Sequence, residues 1–470
     1  MQTDEAEQVL VTQVWLWGYG SQPPLYTWLQ IPLFTLLGVN LFALALLKNC
    51  LLFSIYLFTY LTGREIFRET RHALLAAFSL LSIVLFAWES QRDQTHLVLA
   101  TAVATATLYT AVRLTKSRAA GWYCLLGLLA GLGVLSKYNY AVMIVSLLLA
   151  ALSLPTLRPI ILDRKILLTL ACFVLVIAPH TYWAVTNPEL LFSQANKFKI
   201  PETGSFVVAS LNGTALLVKR IFEYTVGPLV LFGFLNIRAP RIAEPSADRT
   251  LVSWIQRMMI IGLILCFIAV FAFHVTSLRA RWLQPLLISL PLVLVSWTQP
   301  RLDQTRVHFV FTLAAIMMLL VPLTLYGRVR AAAWFGRTTH LNTPYREFAA
   351  HLRSAGFTRG LIIAEGHQLG GNMRLQFPES TIVAAQNIRV PMPSTNYLPT
   401  LMVWQPIGKL QIPRALRQFS EAEFEVDLNH AQVQEISAPA LYARDKIETL
   451  HFALVNARPK AKFAQGSAMQ

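Results

Sequence analysis

The chain has 470 residues, of which 55% are hydrophobic and only 14% are charged, and its mean hydropathy is +0.50. About a quarter of the residues of a soluble globular domain are charged, so this composition excludes that class. The formal net charge is +16, but Lys and Arg lie mostly in short segments between apolar runs, where they set membrane topology. This distribution argues against nucleic-acid binding.

The first 39 residues combine an acidic stretch with an aromatic, proline-rich stretch. Asp4 and Glu5 come first, and WGYGSQPPLYTWL follows at residues 17–29. A proline suits the first turn of a helix, and tryptophan and tyrosine rings settle at the membrane–water boundary. We therefore expect residues 23–38 to form a helix in the outer interface of a membrane, with Asp4 and Glu5 just above its surface.

Long apolar runs then recur from Asn40 to Tyr326 and predict about ten membrane-spanning helices. Lys and Arg are more frequent after the odd-numbered runs than after the even-numbered runs, so the former loops are expected in the cytoplasm and the N-terminal segment outside. The predicted spans are residues 40–62, 73–90, 95–113, 121–136, 139–155, 166–185, 222–237, 253–275, 282–298 and 307–326.

The C-terminal part has a mixed composition that is typical of a small α/β domain. Residues 360–365 and 398–404 have the pattern of buried strands. Residues 343–357 have the pattern of an amphipathic helix, with Thr343 as its N-cap and Gly356 as its stop.

Together these elements predict a polytopic α-helical membrane protein with two domains. Residues 1–328 are expected to form the membrane-embedded domain, in which residues 1–39 provide the outer loop and the interfacial helix. Residues 329–470 are expected to form an α/β domain on the outer side, which is the periplasm in a bacterium.

Four stretches resemble the GT-C glycosyltransferases of family 39. DEAEQ followed by WGYGSQPPLYTWL resembles the first outer loop of that family, which has an Asp-Glu pair and a GYYDQPPL-like element. Residues 89–104 resemble the second outer loop, residues 127–143 the GLGLLTKY stretch, and residues 279–287 the late RYLLP element. The family has a transmembrane helix before the Asp-Glu loop, whereas Asp4 follows only three residues here. Either the true start lies upstream or the first helix is lacking.

The family includes aminoarabinose transferases that act on lipid A, protein O-mannosyltransferases and rhizobial galacturonosyltransferases of the lipopolysaccharide core. The resemblance, which leans toward the rhizobial group, implies an inverting enzyme of the bacterial inner membrane. It implies a polyprenyl-phosphate sugar donor and a periplasmic acceptor such as lipid A, core oligosaccharide or another envelope glycan. It also leaves a divalent metal open as a cofactor.

The alternative function is a transporter or flippase of lipid-linked saccharides. Internal repeats and polar sites near the middle of the bilayer are typical of transporters. This sequence has no visible repeat, and its polar candidates cluster at one membrane boundary instead. No Walker-type glycine-rich loop is present, which fits a lipid-linked donor better than a nucleotide sugar.

Sugar transfer requires a base for the acceptor hydroxyl and cations for the departing phosphate. Asp4 is the candidate base and Glu5 its orienting partner, although an exposed acidic pair is also typical of a solvated segment. The candidates for donor-phosphate binding are cations at the outer boundary, namely Arg92, Lys137, Arg279 and Arg281. Alternatively, Lys137 extends its side chain to the lipid headgroups, and Arg279 and Arg281 are arginines at the membrane boundary without a role in binding.

Three further polar residues are candidates for substrate binding: Asp93, His96 and Tyr138. Asp93 is alternatively the cap of the following helix. His96 is alternatively a satisfied polar residue, and Tyr138 a member of the aromatic belt.

Overall fold

The computed structural model describes residues 1–20, 22–189, 206–242, 244, 246–334, 336–385, 396–406 and 410–460. Contacts within the chain divide it into two compact units. The terminal unit comprises Met1–Gly20, Tyr26–Leu47 and Leu323–Gln470, and the membrane unit comprises Ser21–Leu25 and Lys48–Pro322.

The described part of the chain is mostly helical. The helices in chain order are α1 (Thr3–Val11), α2 (Leu25–Leu37), α3 (Leu41–Ile66), α4 (Thr70–Phe78), α5 (Val84–Arg92), α6 (His96–Lys116), α7 (Ala120–Ser136), α8 (Tyr140–Ser153), α9 (Arg158–Ile161), α10 (Ile166–Thr186), α11 (Phe206–Asn236), α12 (Arg249–Ala272), α13 (Gln284–Leu287), α14 (Leu290–Thr298), α15 (Gln304–Arg330), α16 (Tyr345–Ser354), α17 (His367–Gln376) and α18 (Arg414–Glu423).

The predicted class, a polytopic helical membrane protein, is confirmed, and every predicted span overlaps a helix or a bent pair of helices. Among the described residues, α3, α6, α10, α12 and α15 are each long and apolar enough to cross a membrane. The count rises to seven if each bent pair is one span. Helices α7 and α8 are apolar but shorter, with 17 and 14 residues.

Two predicted spans are bent rather than straight, by 69° between α4 and α5 and by 60° at the Ala280–Leu287 and Leu290–Arg301 pair. At the first bend, the hydroxyls of Ser79 and Ser82 donate to backbone carbonyls within their own segment, a pattern that bends helices. At the second bend, Pro291 lacks the backbone N–H that would continue the helical ladder.

The prediction for residues 222–237 is wrong about where the helix begins. Helix α11 has 31 residues and starts at Phe206, because the charged residues that interrupt the apolar run are accommodated within it. Arg220 donates to both carboxylate oxygens of Glu223 one turn later, at 3.0 and 2.7 Å. An ion pair of this spacing is compatible with a continuous helix.

The terminal unit contains a six-stranded mixed sheet. Its strands are β1 (Leu361–Ala364), β2 (Thr381–Ala384), β3 (Leu398–Trp404), β4 (Phe424–Val426), β5 (Val433–Ala440) and β6 (Ala443–Pro459). The order is β2-β1-β3-β6-β4, and β5 also pairs with β6. Strand β1 is parallel to β2 and β3, whereas β6 is antiparallel to its three partners.

Both faces of this sheet are covered, which agrees with the uninterrupted apolar sequence of the inner strand β1. Leu401 and Val403 of β3 pack in the core that includes α16, α17 and Leu10 of α1. Met402 and Trp404 point into the opposite core, which includes Leu416 of α18.

The structure confirms the predicted strands and the predicted amphipathic helix of this domain but changes how the helix begins. The N-cap position of α16 belongs to Pro344, and no side chain caps it, so the prediction of Thr343 as the cap is wrong. Gly356 follows the end of the helix with a positive φ of 99°, as its predicted role as the stop requires. Contacts group residues 1–20 and 26–47 with this domain, while the functional domain boundary near residue 328 stays a prediction.

Candidate active site

The acidic pair lies in the first turn of α1, a helix that the sequence did not predict. Gln2 is the N-cap, and its backbone N–H donates to Glu5 Oε2 at 3.1 Å. Negative charge is favourable at this end of a helix, where backbone N–H groups point outward. Glu5 therefore caps the helix, and Asp4, which is half-buried, lies beside it.

One face of α1 packs tightly on α17 of the α/β domain. A Cβ atom on Gly371 would lie 2.1 Å from the backbone oxygen of Ala6, so the two helices approach at a distance that only glycine permits. Arg374 is buried and donates to the backbone oxygen of Val9 and to Thr12 Oγ1, the latter at 2.8 Å. Burial lowers the pKa of Arg374 to about 10. A cation in this position complements the C-terminal end of α1.

The opposite face of α1 packs on the aromatic segment and on α2. Thr27 Oγ1 donates to Gln8 Oε1 at 3.0 Å, and the indole of Trp28 donates to the backbone oxygen of Leu16 at 2.7 Å. Trp28 also stacks on Trp15 with ring centroids 5.9 Å apart. The predicted helix at residues 23–38 is present as α2, and it holds α1 from one side while α17 holds it from the other.

The predicted cations lie in the membrane unit. Arg92, at the end of α5, forms an ion pair with Glu89 at 2.8 Å, so its charge is partly neutralised. Asp93 follows as the C-cap of α5. Thr95 occupies the N-cap position of α6, so the alternative of Asp93 as the cap of α6 is wrong.

His96 and Lys137 lie close together. His96 is the first residue of α6, is 7% exposed, hydrogen bonds with the backbone of Ser136, and feels the charge of Lys137. Lys137 immediately follows α7. Tyr138 stacks on His180, and its hydroxyl is 2.9 Å from His180 Nε2.

The turn that carries Lys137 contacts the turn that carries Arg279 and Arg281. Asn139 Nδ2 donates to the backbone oxygen of Trp282 at 2.6 Å. No described carboxylate forms an ion pair with either arginine, in contrast to Arg92. Segments far apart in sequence thus bring His96, Lys137 and the two arginines to one region of the membrane unit.

Several polar residues near this region were missed by the sequence interpretation. Lys48 is 6% exposed, and its Nζ donates to the backbone oxygen of Gln91 at 3.1 Å. A lysine inside an apolar run is energetically costly in a membrane. Its position in such a run was therefore a signal that could have identified Lys48 from the sequence. Ser90, Gln94 and Thr95 are fully buried, and no described residue hydrogen bonds with their side-chain oxygens. Each such group costs roughly 1–3 kcal/mol, which favours a polar ligand at this turn.

An apolar cavity of about 360 Å³ lies at the bend between α4 and α5. Its walls come from this bent pair, from α11 and from α15, and include Phe78, Leu231 and Phe309. The cavity is suited to a hydrocarbon chain, because almost all of its lining side chains are apolar.

The described residues contain no group of three or more His, Cys, Asp or Glu side chains placed to hold a metal ion. The resemblance to the family allows a divalent metal as a cofactor, but the described His, Cys, Asp and Glu side chains are not placed to fit such an ion. The steps proposed below therefore use side chains alone.

Comparison with known proteins identifies the family. The model of the dolichyl-phosphate-mannose-protein mannosyltransferase family matches residues 21–183. The lipopolysaccharide core galacturonosyltransferase RgtB of Rhizobium johnstonii is 31% identical over 446 residues, which cover 94% of this chain and 90% of that protein. RgtA of the same organism is 29% identical with the same coverage.

A solved structure of ArnT from Cupriavidus metallidurans bound to undecaprenyl phosphate shares the fold. The TM-score is 0.56 at 13% identity, and the match covers 97% of this chain and 93% of that one. The motif resemblance is thereby confirmed. The chain belongs to the GT-C glycosyltransferases of family 39, the family that includes the rhizobial lipopolysaccharide core galacturonosyltransferases.

Proposed function

We propose that this enzyme transfers a sugar from a polyprenyl-phosphate donor to an acceptor hydroxyl of a cell-envelope glycan, with inversion at the anomeric carbon. RgtA and RgtB act on the lipopolysaccharide core by name, which supports a galacturonosyl group and a core acceptor. The reaction takes place on the periplasmic side of the bacterial inner membrane, as the distribution of loop charges favours.

The convergence of His96, Lys137, Arg279 and Arg281 carries this proposal. A departing lipid phosphate has negative charge that cations must neutralise as the bond to the sugar breaks. Arg281 and Arg279 meet this requirement best, because no described carboxylate already neutralises them. The apolar cavity at the bend between α4 and α5 is suited to part of the polyprenyl tail.

Asp4 supplies the base. Its carboxylate takes the proton of the acceptor hydroxyl while the oxygen attacks the anomeric carbon of the donor sugar. The bond between that carbon and the phosphate oxygen breaks, and the phosphate leaves with the electron pair. Glu5 keeps α1 capped and thereby holds Asp4 in its orientation.

The remaining predicted residues position the donor. Arg92 is held by Glu89 and presents a fixed guanidinium beside the buried polar turn. Asp93 and His96 lie at the same turn, where sugar hydroxyls would satisfy the buried polar side chains. Tyr138 provides an aromatic face, 36% exposed, next to Lys137.

The decisive experiment compares Asp4→Asn with Glu7→Gln, a half-buried carboxylate on the same helix. The full chain is reconstituted in liposomes with radiolabelled undecaprenyl-phosphate galacturonic acid and lipopolysaccharide core. Loss of the base lowers the rate about 10²- to 10⁴-fold, whereas Glu7→Gln retains the wild-type rate.

An active Asp4→Asn enzyme contradicts the assignment of Asp4. If the wild-type chain moves the labelled donor across the liposome membrane without any transfer to the acceptor, the flippase alternative replaces the proposed function.

A further inference from the structure

The α/β domain contains a second cavity, of about 340 Å³, that lies entirely within the terminal unit. Gln405 and Pro406, which line it, come directly after β3, and Leu369 of α17 comes shortly after β1. The cavity is thus at the carboxyl end of two adjacent parallel strands. In open α/β sheets this is the edge where ligands bind.

Glu448 occupies an unexpected position in this cavity. Side chains of β6 alternate between the two faces of the sheet, and Leu450 and Phe452 lie in the apolar core beneath α16 and α17. Glu448 continues the same row one step further and lines the cavity. Its neighbour on β5 is Ala438, whose small side chain leaves space beside the carboxylate.

The Glu448 carboxylate has no hydrogen bond and no ion pair with any described residue. Burial raises its pKa above the ordinary value for glutamic acid. The nearby charge of Lys446 only partly offsets this effect of burial. A half-buried carboxylate without a hydrogen bond is unfavourable for folding, so its presence at the end of an apolar row is better explained by a ligand than by stability. A ligand that donates hydrogen bonds would satisfy it.

The other walls indicate the chemistry of that ligand. Half of the ten described lining residues have polar side chains: Thr343, Tyr345, Gln405, Glu448 and Thr449. The Tyr345 hydroxyl lies close enough to feel the charge of Glu448. An apolar and aromatic lining with a few convergent polar groups is the usual composition of a small-molecule site.

We propose that this cavity binds a neutral, hydroxyl-rich sugar unit of the acceptor glycan, with Glu448 accepting hydrogen bonds from its hydroxyls. The proposal rests on the proposed function and names the acceptor subsite for it. Among the described lining residues this carboxylate is the only charged group, so they favour a neutral sugar over an anionic one. A single carboxylate is also too few ligands for a calcium ion.

The elements that line this subsite also contact the beginning of the chain segment that contains Asp4. Leu369 lines the cavity, and the preceding Gln368 donates to the backbone oxygen of Met1 at 2.7 Å. On the other wall, Thr343 follows the short segment in which His340 Nε2 lies 2.9 Å from Gln2 Oε1. An acceptor bound in the cavity is thereby held by the elements that hold α1.

The test uses Glu448→Ala and the milder Glu448→Gln, with Asp445→Asn as the matched control. Asp445 is an exposed carboxylate on the same strand that does not line the cavity. The full chain is assayed in liposomes with delipidated core oligosaccharide as the acceptor. Removal of a charged hydrogen-bonding group raises the acceptor KM about 10- to 100-fold, while kcat, the donor KM and the control variant stay unchanged.

A second measurement does not depend on transfer. Saturation-transfer NMR follows binding of the same oligosaccharide to the detergent-solubilised full chain without donor, and thermal melting verifies that each variant is folded. Loss of binding in folded Glu448→Ala supports the subsite, and wild-type binding by that variant overturns it. If the wild-type chain binds the oligosaccharide but transfers no sugar, the proposed function fails while the subsite stands.

Discussion

Replacement of Gly371 by alanine tests whether the contact between α1 and α17 determines activity. The added Cβ would lie 2.1 Å from the backbone oxygen of Ala6, whereas ordinary contact begins at 3.4 Å. Because the obstacle is backbone rather than a flexible side chain, α1 must move away from α17 by about 1.3 Å. A displacement of about 1 Å in a catalytic group lowers the rate about 10²-fold, and overpacking costs about 1–3 kcal/mol of stability.

The matched control for this prediction is the neighbouring Gly370→Ala, whose Cβ would meet its nearest atom, on Leu10, at 3.4 Å. Transfer rates of both variants are measured under donor and acceptor saturation, together with thermal melting of the full chain. We expect Gly371→Ala to lose kcat while Gly370→Ala keeps it. A Gly371→Ala enzyme with normal kcat would refute the reasoning, since it would mean that the position of α1 is irrelevant to chemistry.

Two further predictions concern single charges. Arg281→Ala raises the donor KM about 10- to 100-fold, since a charge-assisted bond to phosphate is lost. The control is Arg249→Ala, which removes an exposed arginine at the start of α12 and leaves the donor KM unchanged. Equal donor KM values for the Arg281→Ala variant and the wild type in steady-state kinetics would exclude a phosphate-binding role for Arg281. Glu448→Gln raises the melting temperature at pH 7, because a raised carboxyl pKa in the folded state means that ionisation destabilises the fold as pH rises through that pKa. The difference in melting temperature between variant and wild type disappears below the unfolded pKa of 4.5, and a difference that persists there would contradict the assigned cause.

Most membrane helices could be predicted from the sequence, because an apolar run long enough to cross a bilayer has few other stable conformations. The bends and the length of α11 could not, since they depend on local bonds such as those of Ser79 and Ser82 and on the ion pair between Arg220 and Glu223. At each of these positions the local bonds decide whether the helix continues, bends or ends, and hydropathy alone does not distinguish these outcomes.

Helix α1, which contains the acidic pair, could not be predicted from the sequence for a different reason. Helix α1 has only nine residues, and an isolated helix of that length is marginal in water. Its stability comes from Gly371 and Arg374, which are hundreds of positions away in the chain. The motif identified Asp4 as a candidate, but no local pattern around it indicates that the α/β domain holds this helix.

The partnership of α1 with α17 also imposes an order of events on biosynthesis. Asp4 is synthesised before the described membrane helices, whereas Gly371 and Arg374 are synthesised after them. A nascent chain that has inserted its spans therefore still lacks the surface on which the acidic helix becomes ordered. Ordering of the helix that carries the proposed base therefore has to wait until the α/β domain has been synthesised.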